Sequence, residues 1–95
     1  MHKYELTIVF KPNLEEEPLK LEQDQITELL ERFGAKIEKI DDWGKRKLAY
    51  EIEKINEGIY RFIKFTAPGT SPNEIESRMR IRENIIRYLI IREDS

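Results

Sequence analysis

Tyr4–Phe10 alternates strictly, with Tyr4, Leu6, Ile8 and Phe10 on one face and Glu5, Thr7 and Val9 on the other. A period of two is the signature of a strand whose two sides meet different surroundings. Lys11-Pro12-Asn13 ends that run, and Pro18 marks the first turn of a helix, where its missing N–H costs little. Leu19, Ile26, Leu30 and Phe33 then form one helical stripe. Gly34 follows as the C′ residue, able to take positive φ without strain. Ala35–Ile52 reads as extended, with Ile37 and Ile40 early and Leu48, Tyr50 and Ile52 late. The spacing from Ile37 to Ile40 is odd, however, and Gly44 interrupts the run. A bulge or bend between Asp41 and Lys45, around Gly44, restores the register. Asn56-Glu57-Gly58 has turn chemistry, which makes Ile59–Thr66 the hairpin partner. Ala67-Pro68-Gly69 ends that strand. Ser71-Pro72-Asn73-Glu74 predicts a capping box, with Ser71 as N-cap, Pro72 at N1 and Glu74 at N3. The short helix it opens buries Ile75 and Met79, and Ile85–Arg92 is the last strand.

The order strand, helix, strand, strand, helix, strand predicts two crossover units sharing one sheet. That is an α+β, ferredoxin-like βαββαβ fold: a four-stranded antiparallel sheet with two helices on one face. Ninety-five residues suit a single domain spanning 1–95. The other face of the sheet is less polar than an open antiparallel face should be. Val9, Tyr60, Phe62, Leu89 and Ile91 lie on it, and such a patch predicts that a partner covers it.

Composition narrows the chemistry. Apolar residues make up 39% and charged residues 38%, yet the apolar positions are periodic, which argues for a folded chain. There is no cysteine and one histidine, His2. Disulfides, thiol catalysis and common transition-metal sites are therefore not expected. The four glycines stand alone, so no phosphate-cradling loop is present. Ser71 is better used as a cap than as a nucleophile, and Asp41-Asp42 reads as a solvated pair. No enzyme, cofactor, metal or small-molecule substrate is expected. No apolar run approaches the roughly 18 residues of a membrane span, and no signal-peptide pattern opens the chain, which predicts a cytoplasmic location away from membranes.

The formal net charge of −2 hides a segregation. Residues 15–32 hold seven acidic side chains against Lys20 and Arg32, whereas residues 78–92 hold five arginines against Glu83 alone. Local fields decide what a surface attracts, so the arginine segment, with few acidic neighbours in sequence, predicts an RNA-facing surface. An alternative comes from Tyr60-Arg61-Phe62-Ile63-Lys64-Phe65, which is similar to the aromatic strand of an RNA recognition motif binding single-stranded RNA. Arg61 stands where that motif needs Gly or Ala, and the first strand has no ring in the right phase.

Three blocks resemble the bacterial small-subunit ribosomal protein six family. They are Lys3-Tyr4-Glu5 continuing to Ile8-Val9 and Pro12, then Trp43-Gly44-Lys45-Arg46-Lys47-Leu48-Ala49-Tyr50-Glu51-Ile52, then Met79-Arg80-Ile81-Arg82-Glu83-Asn84-Ile85-Ile86-Arg87. The resemblance implies a ferredoxin-like structural constituent of the small ribosomal subunit. It further implies binding to the central domain of small-subunit ribosomal RNA together with ribosomal protein eighteen, a basic partner. RNA-binding residues carried over are Lys3, Tyr4, Asn73, Arg80, Arg82, Asn84, Arg87 and Arg92, with Arg46 and Lys47 as lesser members. The face of Val9, Tyr60, Phe62, Leu89 and Ile91 is then the protein-partner face. His2 stands where the family commonly has arginine.

Overall fold

β1 (His2–Phe10) and β3 (Ile55–Ala67) run antiparallel at the centre of a four-stranded sheet, with β2 (Lys36–Ile52) outside β3 and β4 (Ile85–Arg92) outside β1. The computed structural model describes residues 1–52 and 54–93, save the side chains of Ala49 and Ile52. α1 (Glu16–Arg32) joins β1 to β2, and α2 (Ser71–Met79) joins β3 to β4. The order β2-β3-β1-β4 is the ferredoxin-like βαββαβ arrangement expected. Tyr4, Leu6, Ile8 and Phe10 meet Ile63 and Phe65 on the inner face, against Ile26, Leu29 and Leu30 of α1 and Ile75 and Met79 of α2. Fully burying side chains of this kind is worth about 1.5–3 kcal/mol each.

α1 ends as its glycine predicts. Gly34 has φ +87°, its N–H donates to the Glu31 carbonyl at 3.0 Å, and Ala35 N–H donates to the Leu30 carbonyl at 3.0 Å. This pair of bonds is a Schellman closure. α2 departs from expectation. It begins at Ser71, Thr70 is the residue before it, and no side-chain cap bond forms. The Ser71 hydroxyl instead donates to the Phe33 carbonyl at 2.7 Å, satisfying one of the carbonyls that a helix C-terminus leaves open. The predicted capping box is replaced by a tie between the end of α1 and the start of α2.

β2 carries the bulge at Gly44, which has φ +73° and sits at a register shift between Asp42 and Gly44. A second shift lies between Ile37 and Lys39. It pairs Ile37 with Phe65 and Ile40 with Ile63, so the odd spacing of the two isoleucines is absorbed at Glu38. In β4, a shift opposite Val9 and Phe10 sets Ile85 opposite Phe10 and brings Ile85 against the core with Tyr88 and Ile90.

The expected turn at Asn56-Glu57-Gly58 is not a turn. β3 already runs through it, and the hairpin closes at Ile52↔Ile55 with Lys54 at φ +68°, a backbone suited to a two-residue connection. Gly58 is needed for a different reason. A Cβ built there would lie 2.3 Å from Val9 Cγ1 and 3.3 Å from the Phe10 carbonyl oxygen. Glycine inside a strand here marks a close crossing of β3 over the end of β1. Gly58→Ala should therefore destabilise the fold by about 1–3 kcal/mol in denaturant titration. Adding Val9→Ala should restore part of that loss, and two strictly additive losses would refute the close contact.

Candidate nucleic-acid edge and apolar sheet face

The arginine segment runs from the end of α2 through the whole of β4, and its members go to different places. Arg78 lies over the Phe33 ring, 5.8 Å from its centroid. Arg80 is exposed, and its hydrogen bond with the Tyr88 hydroxyl holds the guanidinium pKa above its ordinary value. It is thus cationic at every working pH. Arg82 turns the other way. Its Nη1 donates to Glu22 Oε1 at 3.1 Å and to Gln25 Oε1 at 3.1 Å on α1, and Asn84 Nδ2 donates to Glu22 Oε2 at 3.4 Å. The scarcity of acidic neighbours in sequence does not hold in space for Arg82, because α1 brings its acidic flank alongside.

Arg87 points to the outer face of the sheet, opposite Val9 of β1. Its Nη1 donates to the Tyr50 hydroxyl of β2 at 2.8 Å, with the guanidinium 5.8 Å from that ring's centroid. Arg92 is exposed at the far end of β4, opposite Tyr4. Lys3 is exposed at the start of β1, and Asn73 is exposed in the first turn of α2. Lys3 and Arg92 lie at one end of the sheet. Arg82 and Asn84 lie at the other, where Lys11 N–H donates to the Asn84 carbonyl at 3.0 Å. An eight-residue strand separates the two groups by about 20–25 Å. Tyr4 belongs to neither group. It is 5% exposed on the inner face, its ring centroid 5.6 Å from that of Phe65, so its ring is not available to an external base. Arg46 and Lys47 are exposed on β2.

The outer face is apolar in part. Leu89 and Ile91 are 47% and 48% exposed, while Tyr60 and Phe62 are half-buried. Val9, expected to be available there, is buried at 3% exposure because β3 crosses it at Gly58, with Leu48 of β2 close to that crossing. Trp43, a residue the sequence pattern did not single out for this face, lies with its ring 4.7 Å from that of Phe62, and Phe62 is 6.2 Å from Tyr60. Its place on the Gly44 bulge concealed its phase. Thr7, Val9, Tyr60, Arg87, Tyr88 and Leu89 line a shallow cavity of about 150 Å³. Towards the other end the face turns polar, where Lys64 bridges Glu5 at 4.0 Å and Glu93 at 3.8 Å.

The recognition-motif alternative fails on this geometry. Phe62 and Tyr60 face outward, but their β1 neighbours are Thr7 and Val9, so β1 lacks the ring that such a motif sets beside them in its stacking platform. Arg61 is not near the platform at all. It faces inward, 8% exposed, with Nη1 3.5 Å from Asp42 Oδ1. Among the described residues no group of His, Cys, Asp or Glu could hold a metal ion, and no helix is long and apolar enough to cross a membrane.

Comparison with known proteins agrees with the fold and the sequence blocks. The family model for ribosomal protein S6 matches residues 3–92. The small ribosomal subunit protein bS6 of Clostridium kluyveri is 42% identical over 94 residues, covering 99% of both chains. That of Alkaliphilus oremlandii is 44% identical over 92 residues, covering 97% of both. The crystal structure of 30S ribosomal protein S6 from Thermotoga maritima superposes with a TM-score of 0.92 at 34% identity, covering 97% of this chain and 87% of that one.

The Arg82 network has a measurable cost of removal. The two side chains of its ion pair are 22% and 16% exposed, between a surface pair and a buried one. Arg82→Ala should lower stability by about 1 kcal/mol. The loss should shrink as salt rises to about 1 M, where the Debye length falls to about 3 Å. A loss independent of salt would mean that packing, not charge, holds this corner.

Proposed function

The chain belongs to the ribosomal protein S6 family, a structural constituent of the small subunit of the cytoplasmic ribosome, and we propose that it holds folded small-subunit ribosomal RNA jointly with ribosomal protein eighteen. The observation that carries this reading is the division of one strand between two surfaces. β4 brings arginines to the edge of the molecule and, between them, sets Leu89 and Ile91 bare on the outer face. Bare aliphatic side chains beside Phe62 and Trp43 suit a protein contact. The arginines suit phosphate, which a planar guanidinium grips well.

The RNA-facing set is Lys3, Asn73, Arg80, Arg82, Asn84, Arg87 and Arg92; the buried Tyr4 supports the start of β1 from within. Backbone N–H groups in the first turn of α2, beside Asn73, add a favourable site for phosphate. Arg82 contributes less than its charge suggests, since Glu22 already neutralises it. The partner face is Tyr60, Phe62, Leu89 and Ile91, extended by Trp43, with Val9 as its buried floor. A net charge of −2 makes this chain a weak RNA binder alone, and a basic partner on the adjoining face supplies the missing field. Ordering an RNA junction this way requires neutralised phosphates and matching shape, with no bond made or broken.

Two measurements test the two halves separately. Replacing Arg80 and Arg87 together by Ala should flatten the slope of log K against log salt for ribosomal RNA by about 1.4–1.8, at roughly 0.7–0.9 per phosphate. An unchanged slope removes both from the RNA edge. Leu89→Glu with Ile91→Glu should abolish binding of ribosomal protein eighteen while leaving the unfolding midpoint near its original value, because both positions are about half exposed. Undiminished partner binding would place the docking surface elsewhere.

A further inference from the structure

Arg87 stands where the two proposed surfaces meet, and the inference drawn from it rests on the reading that Arg87 meets RNA and the outer face meets protein. Its guanidinium is engaged within the molecule, on the Tyr50 hydroxyl at 2.8 Å and over the Tyr50 ring. It also forms one wall of the 150 Å³ cavity lined by Thr7, Val9, Tyr60 and Leu89. Tyr50 comes from the opposite edge of the sheet, since β3 and β1 lie between β2 and β4. It reaches Arg87 from an irregular stretch. Between the pairs Lys47↔Glu57 and Ile52↔Ile55, β2 advances five residues while β3 advances two. Tyr50 is therefore outside the regular ladder, and it is 61% exposed.

We propose that the Tyr50–Arg87 contact is a clasp that couples RNA binding to the partner face. A bond from guanidinium to phosphate is charged at both ends, whereas the bond from Arg87 to the neutral Tyr50 hydroxyl is charged at one end only. RNA phosphate thus draws Arg87 away from the Tyr50 hydroxyl. The side chain leaves the cavity wall, the irregular segment of β2 is released, and the cavity between Val9 and Leu89 accepts an apolar side chain of the partner. Because coupling is reciprocal, a partner seated in the cavity presents Arg87 to RNA.

Tyr50→Phe tests this, since it removes the hydroxyl and keeps the ring. With a transcript of the central domain of small-subunit ribosomal RNA, the variant chain alone should bind about two- to tenfold tighter than the original, the net worth of one hydrogen bond. The affinity gained on adding ribosomal protein eighteen should fall by the same factor. Affinity equal to or below that of the original chain overturns the clasp. Arg87→Ala separates this failure from failure of the reading beneath it. If Arg87→Ala weakens RNA binding while Tyr50→Phe changes nothing, the clasp alone is overturned. If Arg87→Ala also changes nothing, the place of Arg87 on the RNA edge is lost, and the clasp with it.

Discussion

The contact between Val9 and Gly58 sets the shape on which the rest depends. β3 can cross the end of β1 only because position 58 carries no side chain. That crossing coils the β2–β3 hairpin over one corner of the outer face and buries Val9. It brings the far part of β2 near β4, although two strands lie between them in the sheet, and so allows Tyr50 to reach Arg87. Without the coil, the outer face would be a plain surface with two independent edges. With it, residues from both edges share one corner.

Charge is organised by the same packing. α1 carries its acidic residues along a solvated flank, and the turn after α2 places Arg82 and Asn84 against Glu22. One arginine is thus consumed in holding the layers together, while Arg80 stays outside and charged. A segment that looks uniform along the chain becomes a graded surface in space. Its cations differ in their surroundings, Arg82 lying against a carboxylate of α1 and Arg87 against the Tyr50 hydroxyl.

Periodicity made most of the fold legible. Strict alternation marked β1, the helical stripe and Gly34 marked α1 and its end, and the spacing from Ile85 to Arg92 marked β4 without error. The failures have physical causes. Asn56-Glu57-Gly58 has the composition of a turn, but composition cannot distinguish a glycine chosen for backbone freedom from one chosen because another strand passes close by. Ser71 sits where a cap belongs, yet the Phe33 carbonyl, distant in sequence, competes for its hydroxyl. The buried state of Val9 and the pairing of Arg82 with Glu22 arise from residues about fifty to sixty positions away, beyond the reach of any local pattern. Trp43 was hidden by the bulge on which it stands.

The bare side of β4 bears on the life of the protein before assembly. An edge strand offers unpaired backbone donors and acceptors, and one with exposed aliphatic residues is a template for pairing with another copy of itself. Leu89 and Ile91 give β4 that character, tempered by Arg87 and Arg92 on either side. A pool of unassembled chain is therefore exposed to self-association in proportion to its concentration. The same bare strand thus sets how much unassembled chain can stay monomeric in solution.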